Sequence, residues 1–529
     1  MANVRYPGKE TRLWYFLPCI DTALLLGLFA LLGARGRKLP RSAHVALAAA
    51  FVWVRFFRVA DGISAHFLHR SFNLYANLSL IPELPRLLHT TMSTGALVLS
   101  GLALLLAGSA VGVLCYGALR VAEQSLTQRR NVRVFGAVIA ALTLASFVPR
   151  KAGDSRFVGA FASSGVGRLV AEVESTVRTR SALERERHAI RDARERLRRM
   201  PTNLAKLHGA DVLFLIVESY GESVLEEPAQ AARIRPELSA FQRELAAEGY
   251  AMASTILDSP TFGGGSWLAH AALNAGVATQ DQLEYELLCA QRPPTFADFF
   301  RSAGYRTVLA QPGALHASAE GEYLRFDQKY FAPSFDYRGP SFGWGNMPDQ
   351  FVLDFVHRRE LGPHEQARFI EYALISSHAP WLAQPSVLDD WSRLGDGSVL
   401  ATLPIKRHAT EWSSLDQAGD AYVDSVVYVL RVLRRYLASE LHNDALVIIL
   451  GDHQAPGGVT GSSLGHGVPV HVLSRRPAFV TPFRARGYTG GMWPEEKSPH
   501  PGMESFLFAF LRDFSDDLRQ TSVVGGPTP

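Results

Sequence analysis

The chain has 529 residues, 47% hydrophobic and 20% charged, and 54 Lys and Arg against 50 Asp and Glu leave a formal net charge of +4. That length predicts two or three domains rather than one, and so small a charge argues against a broad basic surface for nucleic acid. Cys19 and Cys115 lie in apolar runs and Cys289 stands alone in the polar part, which excludes an intradomain disulfide framework there.

In chain order, residues 13–34 form an apolar run long enough to cross ~30 Å of hydrocarbon at about 1.5 Å per residue. Residues 42–62 form a weaker one, broken by Arg55 and Arg58, which must snorkel or face protein. Residues 96–119 carry no charge, and residues 134–148 are a shorter clean run between Arg133 and Arg150. One such run fits a cleaved signal peptide; four predict a transmembrane helix bundle over residues 1–150. Arg35, Arg37, Lys38 and Arg41 follow the first run, and Arg120, Arg129, Arg130 and Arg133 follow the third. Cationic loops stay in the cytoplasm, so the chain after Val148 is expected outside it, although Arg5, Lys9 and Arg12 argue the other way. Residues 72–84 read as an amphipathic segment at the interface. Asp21, in the first run, reads as a polar residue buried in the bundle or near its end.

Residues 151–207 are expected to be a helical juxtamembrane connector. Its stretch 181–199 is dense in Glu and Arg at i, i+4 spacing, and Pro201 ends it. A soluble domain at 208–515 follows, then a Gly/Pro tail at 516–529.

Within the soluble domain, residues 211–218 are a continuous apolar run ending in Glu218, and residues 444–453 have the same form and end in Asp452 and His453. Such runs predict strands buried on both faces, as in a mostly parallel sheet covered by helices. In these sheets ligands bind at the carboxyl ends of strands, where all three residues fall. Between them, Gly263, Gly264 and Gly265 permit a tight turn and place Ser266 at the start of a predicted helix. A serine there is commonly only a cap, but a helix N-terminus also stabilises an alkoxide, and a hydroxyl beside a cation can act as a nucleophile. Thr261 is the alternative nucleophile, because the glycine run leaves the register open. Two further polar islands, Ser376-Ser377-His378-Ala379-Pro380-Trp381 and Gly465-His466-Gly467, lie at or beside short apolar runs.

Taken in order, Val217-Glu218-Ser219-Tyr220, the glycine run with its hydroxyl, the His378 island, Gly451-Asp452-His453-Gln454 and His466-Gly467-Val468-Pro469 resemble the alkaline phosphatase/sulfatase superfamily. The likeness is nearest to its membrane-bound branch of lipoteichoic acid synthases, phosphoglycerol transferases and phosphoethanolamine transferases, and covers roughly residues 211–510. It implies an alkaline phosphatase-like α/β fold and a divalent metal, Zn or Mn, held by Glu218, Ser266, Asp452 and His453. Ser266 takes the place of the nucleophile, usually threonine in that branch, while His378 and His466 match histidines that contact the substrate phosphate. Trp381 and Trp344 are candidates for shaping the substrate pocket, beside the commoner reading of tryptophan as a core residue. Leu268 and His270 stand where the sulfatase maturation pattern needs Pro or Ala and Arg, so formylglycine chemistry is not expected. The implied reaction moves a phosphoglycerol- or phosphoethanolamine-type group from a membrane phospholipid to an envelope glycan or lipid through a phospho-serine. Two alternatives accompany it, a phosphodiesterase, phosphatase or sulfatase-like hydrolase and a catalytically silent sensor. The implied location is a multi-pass plasma (inner) membrane protein with the catalytic domain extracytoplasmic.

Overall fold

A computed structural model describes residues 20–67, 93–146, 165–315, 322–408, 415–460, 465–495 and 499–516. The chain divides into two compact units, Met1–Ser181 and Ala182–Pro529.

The first unit holds helices α1 (Ile20–Ala34), α2 (Arg41–Phe67), α3 (Thr94–Ser125) and α4 (Arg129–Ser146). Helices α1 and α2 pack on α3, and α4 packs on α1. Phe29, Ala30 and Leu126 form a small buried cluster. Beside it the buried Glu123 accepts the Leu39 amide at 2.7 Å and lies 3.4 Å from His44. Asp21 occupies the first turn of α1, where a carboxylate complements the helix dipole.

Among the described residues one helix, Thr94–Ser125, is long and apolar enough to cross a membrane; Asp21–Ala34 and Arg41–Val54 are apolar but shorter. The four spans expected from the sequence are thus helices in each case, but only one meets the length and apolarity of a span. The reasons lie in the residues. Helix α1 is 15 residues long as described; Arg55, Arg58 and Asp61 interrupt α2; and α4 opens on Arg129 and Arg130. On α3, Leu99, Leu106 and Leu114 are about 70% exposed, and no residue of its apolar window is buried. Residues 13–19, the interfacial segment 72–84 and the tail from 517 lie outside the described residues.

Helix α5 (Gly165–Arg198) crosses the division between the units. In its last turns Ile190, Ala193 and Leu197 are buried in the second unit's core and Arg196 lies over the Phe508 ring.

The second unit is built on an eight-stranded sheet. In chain order its strands are β1 (Asp211–Val217), β2 (Ala251–Asp258), β3 (Arg306–Gln311), β4 (Gln328–Phe331), β5 (Arg368–Leu374), β8 (Ala445–Gly451), β9 (Gly467–Ser474) and β10 (Thr489–Gly490); β6 (Ala383–Pro385) and β7 (Ile405–Arg407) form a separate hairpin. The spatial order is β10-β2-β9-β8-β1-β5-β3-β4. The expected mostly parallel sheet is mixed. The pairs from β8 through β1, β5 and β3 to β4 are parallel, whereas β9 is antiparallel to both β8 and β2, and β10 to β2.

Side-chain alternation divides the core. Leu213, Leu215 and Val217 of β1 face one layer, containing α6 (Pro228–Ala247) and α11 (Leu415–Arg435). Val212, Phe214 and Ile216 face the other, containing α7 (Ser266–Ala275), α9 (Phe296–Ser302) and α13 (Ser505–Phe514). Helices α8 (Gln282–Gln291), α10 (Asp349–Val356) and α12 (Pro477–Ala485) fall between these in chain order. A Phe cluster anchors the second layer: Phe214 meets Phe296 at 5.1 Å and Phe369 at 5.2 Å, both edge-on. Cys289 packs against this layer as a small apolar residue.

Candidate metal centre and nucleophile

Register sets the site. β1 and β8 pair in parallel with Val217 opposite Gly451, so the next residues, Glu218 and Asp452, leave the sheet side by side at its carboxyl edge. On the other flank of β1, Val217 pairs with Leu374, which carries the His378 turn to the same edge. Contact between the β1 and β8 loops requires glycine. A Cβ on Gly451 would lie 1.9 Å from the Tyr220 carbonyl oxygen. Ser219 adopts φ 56°, an uncommon conformation for a residue with a Cβ, and its amide donates to Asp452 Oδ1 at 2.7 Å.

Four side chains converge there. Glu218, Asp452 and His453 are buried, with one ligand atom of each lying within 4.8 Å of the others. The Ser266 hydroxyl donates to Glu218 Oε2 at 2.9 Å and lies 3.1 Å from His453 Nε2. His453 Nδ1 faces the Gln454 carbonyl at 2.7 Å. A carbonyl only accepts, so Nδ1 carries hydrogen and Nε2 is the nitrogen turned toward the cluster. Ser266 reaches this point as the first residue of α7, after Gly263, Gly264 and Gly265 at φ 70°, 143° and 82°. The Gly263 amide is tied to the Gln454 carbonyl at 3.0 Å.

The charges are mutually dependent. Burial raises Glu218, but His378 and His453 outweigh it and hold this carboxyl well below the usual carboxylate range. Burial and the neighbouring Glu218 push Asp452 up to about 7. Burial disfavours charge on His453, yet Asp452 and Glu218 overcome it and raise the imidazole to about 9. Two buried carboxylate oxygens, a buried imidazole nitrogen and a half-buried hydroxyl suit a divalent cation of the Zn or Mn kind, which binds by displacing those protons.

The remaining expected residues sit around this cluster. Thr261 donates its hydroxyl to the Gly264 carbonyl at 2.5 Å and so closes the glycine turn, whereas Ser266 faces the ligands. His378 is half-buried, stacks on Trp344 at 4.4 Å and borders a small cavity also lined by Asn346, Ser376, Gln384 and Tyr428. His466 Nδ1 lies 3.0 Å from the Ser259 carbonyl, and its ring is 5.8 Å from Phe262, beside the glycine turn. Trp381 corrects the expectation of a substrate contact. It is 3% exposed, its indole N–H donates to the Ser377 carbonyl at 2.7 Å, and its ring packs against Tyr422. It braces the His378 turn from inside the core.

Sequence reasoning passed over Asp349. This fully buried carboxylate accepts the Ile375 amide at 2.8 Å and the Ser376 amide at 3.1 Å, fixing the backbone ahead of His378. Nothing local marks it, since its partners lie 26 and 27 residues away.

A sheet edge that gathers carboxylates, an imidazole and a hydroxyl defines a candidate metal-dependent ester-processing domain. Comparison with known families adds one match: residues 271–489 match the Sulfatase family model. No curated protein matches the chain. Among solved structures it is similar to a phosphoglycerol transferase from Streptococcus pyogenes in complex with sn-glycerol-1-phosphate, at 13% identity over 63% of this chain and 90% of that one, TM-score 0.37. It is also similar to a lipoteichoic acid synthase from Listeria monocytogenes, at 13% identity over 57% and 72%, TM-score 0.35. A third is the soluble domain of lipooligosaccharide phosphoethanolamine transferase A from Neisseria meningitidis, at 12% identity over 58% and 90%, TM-score 0.36.

Proposed function

We propose that the protein transfers a phospho-alcohol group, of the phosphoglycerol or phosphoethanolamine type, from a membrane phospholipid to a glycan or lipid of the cell envelope. The observation that carries this reading is the Ser266 hydroxyl, held 2.9 Å from Glu218 and 3.1 Å from His453 at the mouth of a buried ligand cluster. Glu218, Ser266, Asp452 and His453 would hold a divalent cation, which supplies the positive charge that makes a serine hydroxyl acidic and neutralises phosphate oxygens.

In the first step Ser266 Oγ forms a bond to phosphorus as its proton leaves. The bond from phosphorus to the lipid alcohol breaks, and that alcohol departs protonated. In the second step an acceptor hydroxyl attacks the same phosphorus, and Ser266 is released as leaving group and regains a proton. His378 and His466 serve the phosphate oxygens and the departing oxygen. Placement of Ser266 at the N-terminus of α7 adds the helix dipole to its alkoxide. Tethering suits a lipid donor, because it confines enzyme and substrate to one plane and raises effective concentration. Helix α3 is the best-supported span, with the other N-terminal helices completing the bundle and the catalytic unit outside the cytoplasm.

The test is mass spectrometry of envelope glycans and lipids from cells carrying the wild-type chain or Ser266→Ala. Loss of a phospho-alcohol adduct in the variant supports transfer. Free phospho-alcohol without an adduct makes the enzyme a hydrolase, and identical profiles refute the proposal.

A further inference from the structure

Most of helix α7 is buried and apolar. Leu268, Ala269, Ala271, Ala272, Leu273 and Ala275 are each at most 2% exposed. Apolar burial alone sets a helix's rotation weakly, yet rotation decides where Ser266 points. The only other polar side chains between Ser266 and Ala275, apart from Trp267, are His270 and Asn274, one and two turns further along the same stripe.

Both meet Glu371. This carboxylate sits in the middle of β5, fully buried, between Phe214 of β1 and Leu309 of β3 in the adjoining strands. Asn274 Nδ2 donates to Glu371 Oε2 at 2.9 Å, and His270 Nδ1 lies 3.4 Å from Glu371 Oε1. A carboxylate in an otherwise apolar layer is costly unless its partners are well placed, and the Asn274 hydrogen bond is directional where apolar contact is not. The Asn274 hydrogen bond, with the His270 ring close to the other carboxylate oxygen one turn earlier, sets rotation as well as position.

We infer that Glu371, acting through Asn274 and His270, is a positioning residue that fixes the rotation of α7 and so aims the Ser266 hydroxyl at Glu218 and His453. This rests on the transfer reading of Ser266 for its catalytic consequence, but the rotational lock itself does not.

The experiment uses the full chain in detergent, with bis(4-nitrophenyl) phosphate and Mn²⁺ as probes and hydrogen exchange of the Ser266–Ala275 amides as a readout free of activity. The double variant Glu371→Leu/Asn274→Leu removes both ends of the 2.9 Å hydrogen bond together, so it is expected to fold. Glu371→Gln keeps an acceptor for Asn274 and acts as the conservative rescue. The expected result for the double variant is faster exchange confined to α7, by about tenfold, and a kcat lower by on the order of a hundredfold with KM little changed. Glu371→Gln restores most of both. Wild-type exchange in α7, or a kcat that simply follows the folded fraction, overturns the inference. Should Ser266→Ala keep full turnover, the proposed function falls, while the exchange measurement still decides the lock.

Discussion

Gly451→Ala is the sharpest perturbation available at this site, because it adds one methyl group where two loops touch. The new Cβ would sit 1.9 Å from the Tyr220 carbonyl oxygen, 2.8 Å from its carbon and 3.2 Å from Val468 Cβ. The first two neighbours are backbone atoms, so no rotamer change relieves them. Ordinary contact requires the β1 and β8 loops to part by roughly 1–1.5 Å, and overpacking of this kind costs about 1–3 kcal/mol. The same movement separates Glu218 from Asp452 and His453, and a misplacement of ~1 Å at a reacting centre lowers rate on the order of a hundredfold. The assay pairs thermal unfolding with calorimetric titration of Mn²⁺ into the full chain. The expected result is a lower melting temperature together with at least about tenfold weaker cation binding, since 1.4 kcal/mol is a factor of ten. Gly419→Ala, in α11 with the Val459 carbonyl oxygen an ordinary 3.9 Å from the new Cβ, is the control and should be neutral or slightly stabilising. Wild-type cation affinity in Gly451→Ala would refute the reasoning that the two strand ends form one site.

Other expectations follow from the same geometry. Ser266→Ala should lower turnover on the order of a thousandfold, whereas Thr261→Val, which removes only the turn-closing hydroxyl, should leave kcat within a few-fold; a reversal in steady-state kinetics would move the nucleophile to Thr261. Trp381→Ala should destabilise by about 3–5 kcal/mol as a core truncation, while Trp344→Ala should mainly raise KM, and unfolding curves beside kinetics separate the two. His471 is buried between Ser254 at 2.7 Å and Tyr220 at 3.1 Å, and burial lowers its pKa from 6.5 to about 3. The unfolded chain therefore binds the extra proton between those values. The stability held by the neutral ring is complete above about 6.5 and is lost as pH falls toward 3, at up to about 1.4 kcal/mol per pH unit. Urea titrations at pH 7 and 5 should show this difference in the wild type and a smaller one in His471→Gln; equal slopes would contradict it.

The ligands were legible because each ends an apolar run, and a carboxylate closing such a run has no reason of burial to be there. Ser266 was legible through the glycines before it, although only the structure separates it from Thr261, whose hydroxyl turns back to Gly264. Other features depend on distant partners. Glu371 interrupts an apolar strand and by itself resembles a solvent-facing position; its meaning comes from His270 and Asn274, about a hundred residues earlier. Trp381 follows a polar island and so suggested a pocket, but Tyr422 takes its ring into the core. The antiparallel insertion of β9 between β8 and β2 was equally hidden, since a fully buried strand carries the same apolar run in either direction.

The central claim is that Glu218, Ser266, Asp452 and His453 hold one divalent cation. An anomalous-scattering map from crystals of the full chain grown with Mn²⁺ tests it most directly. The account expects a single strong peak at about 2.0–2.3 Å from an oxygen or nitrogen of each of the four residues. A cation bound elsewhere, with these side chains left paired only with one another, would contradict it.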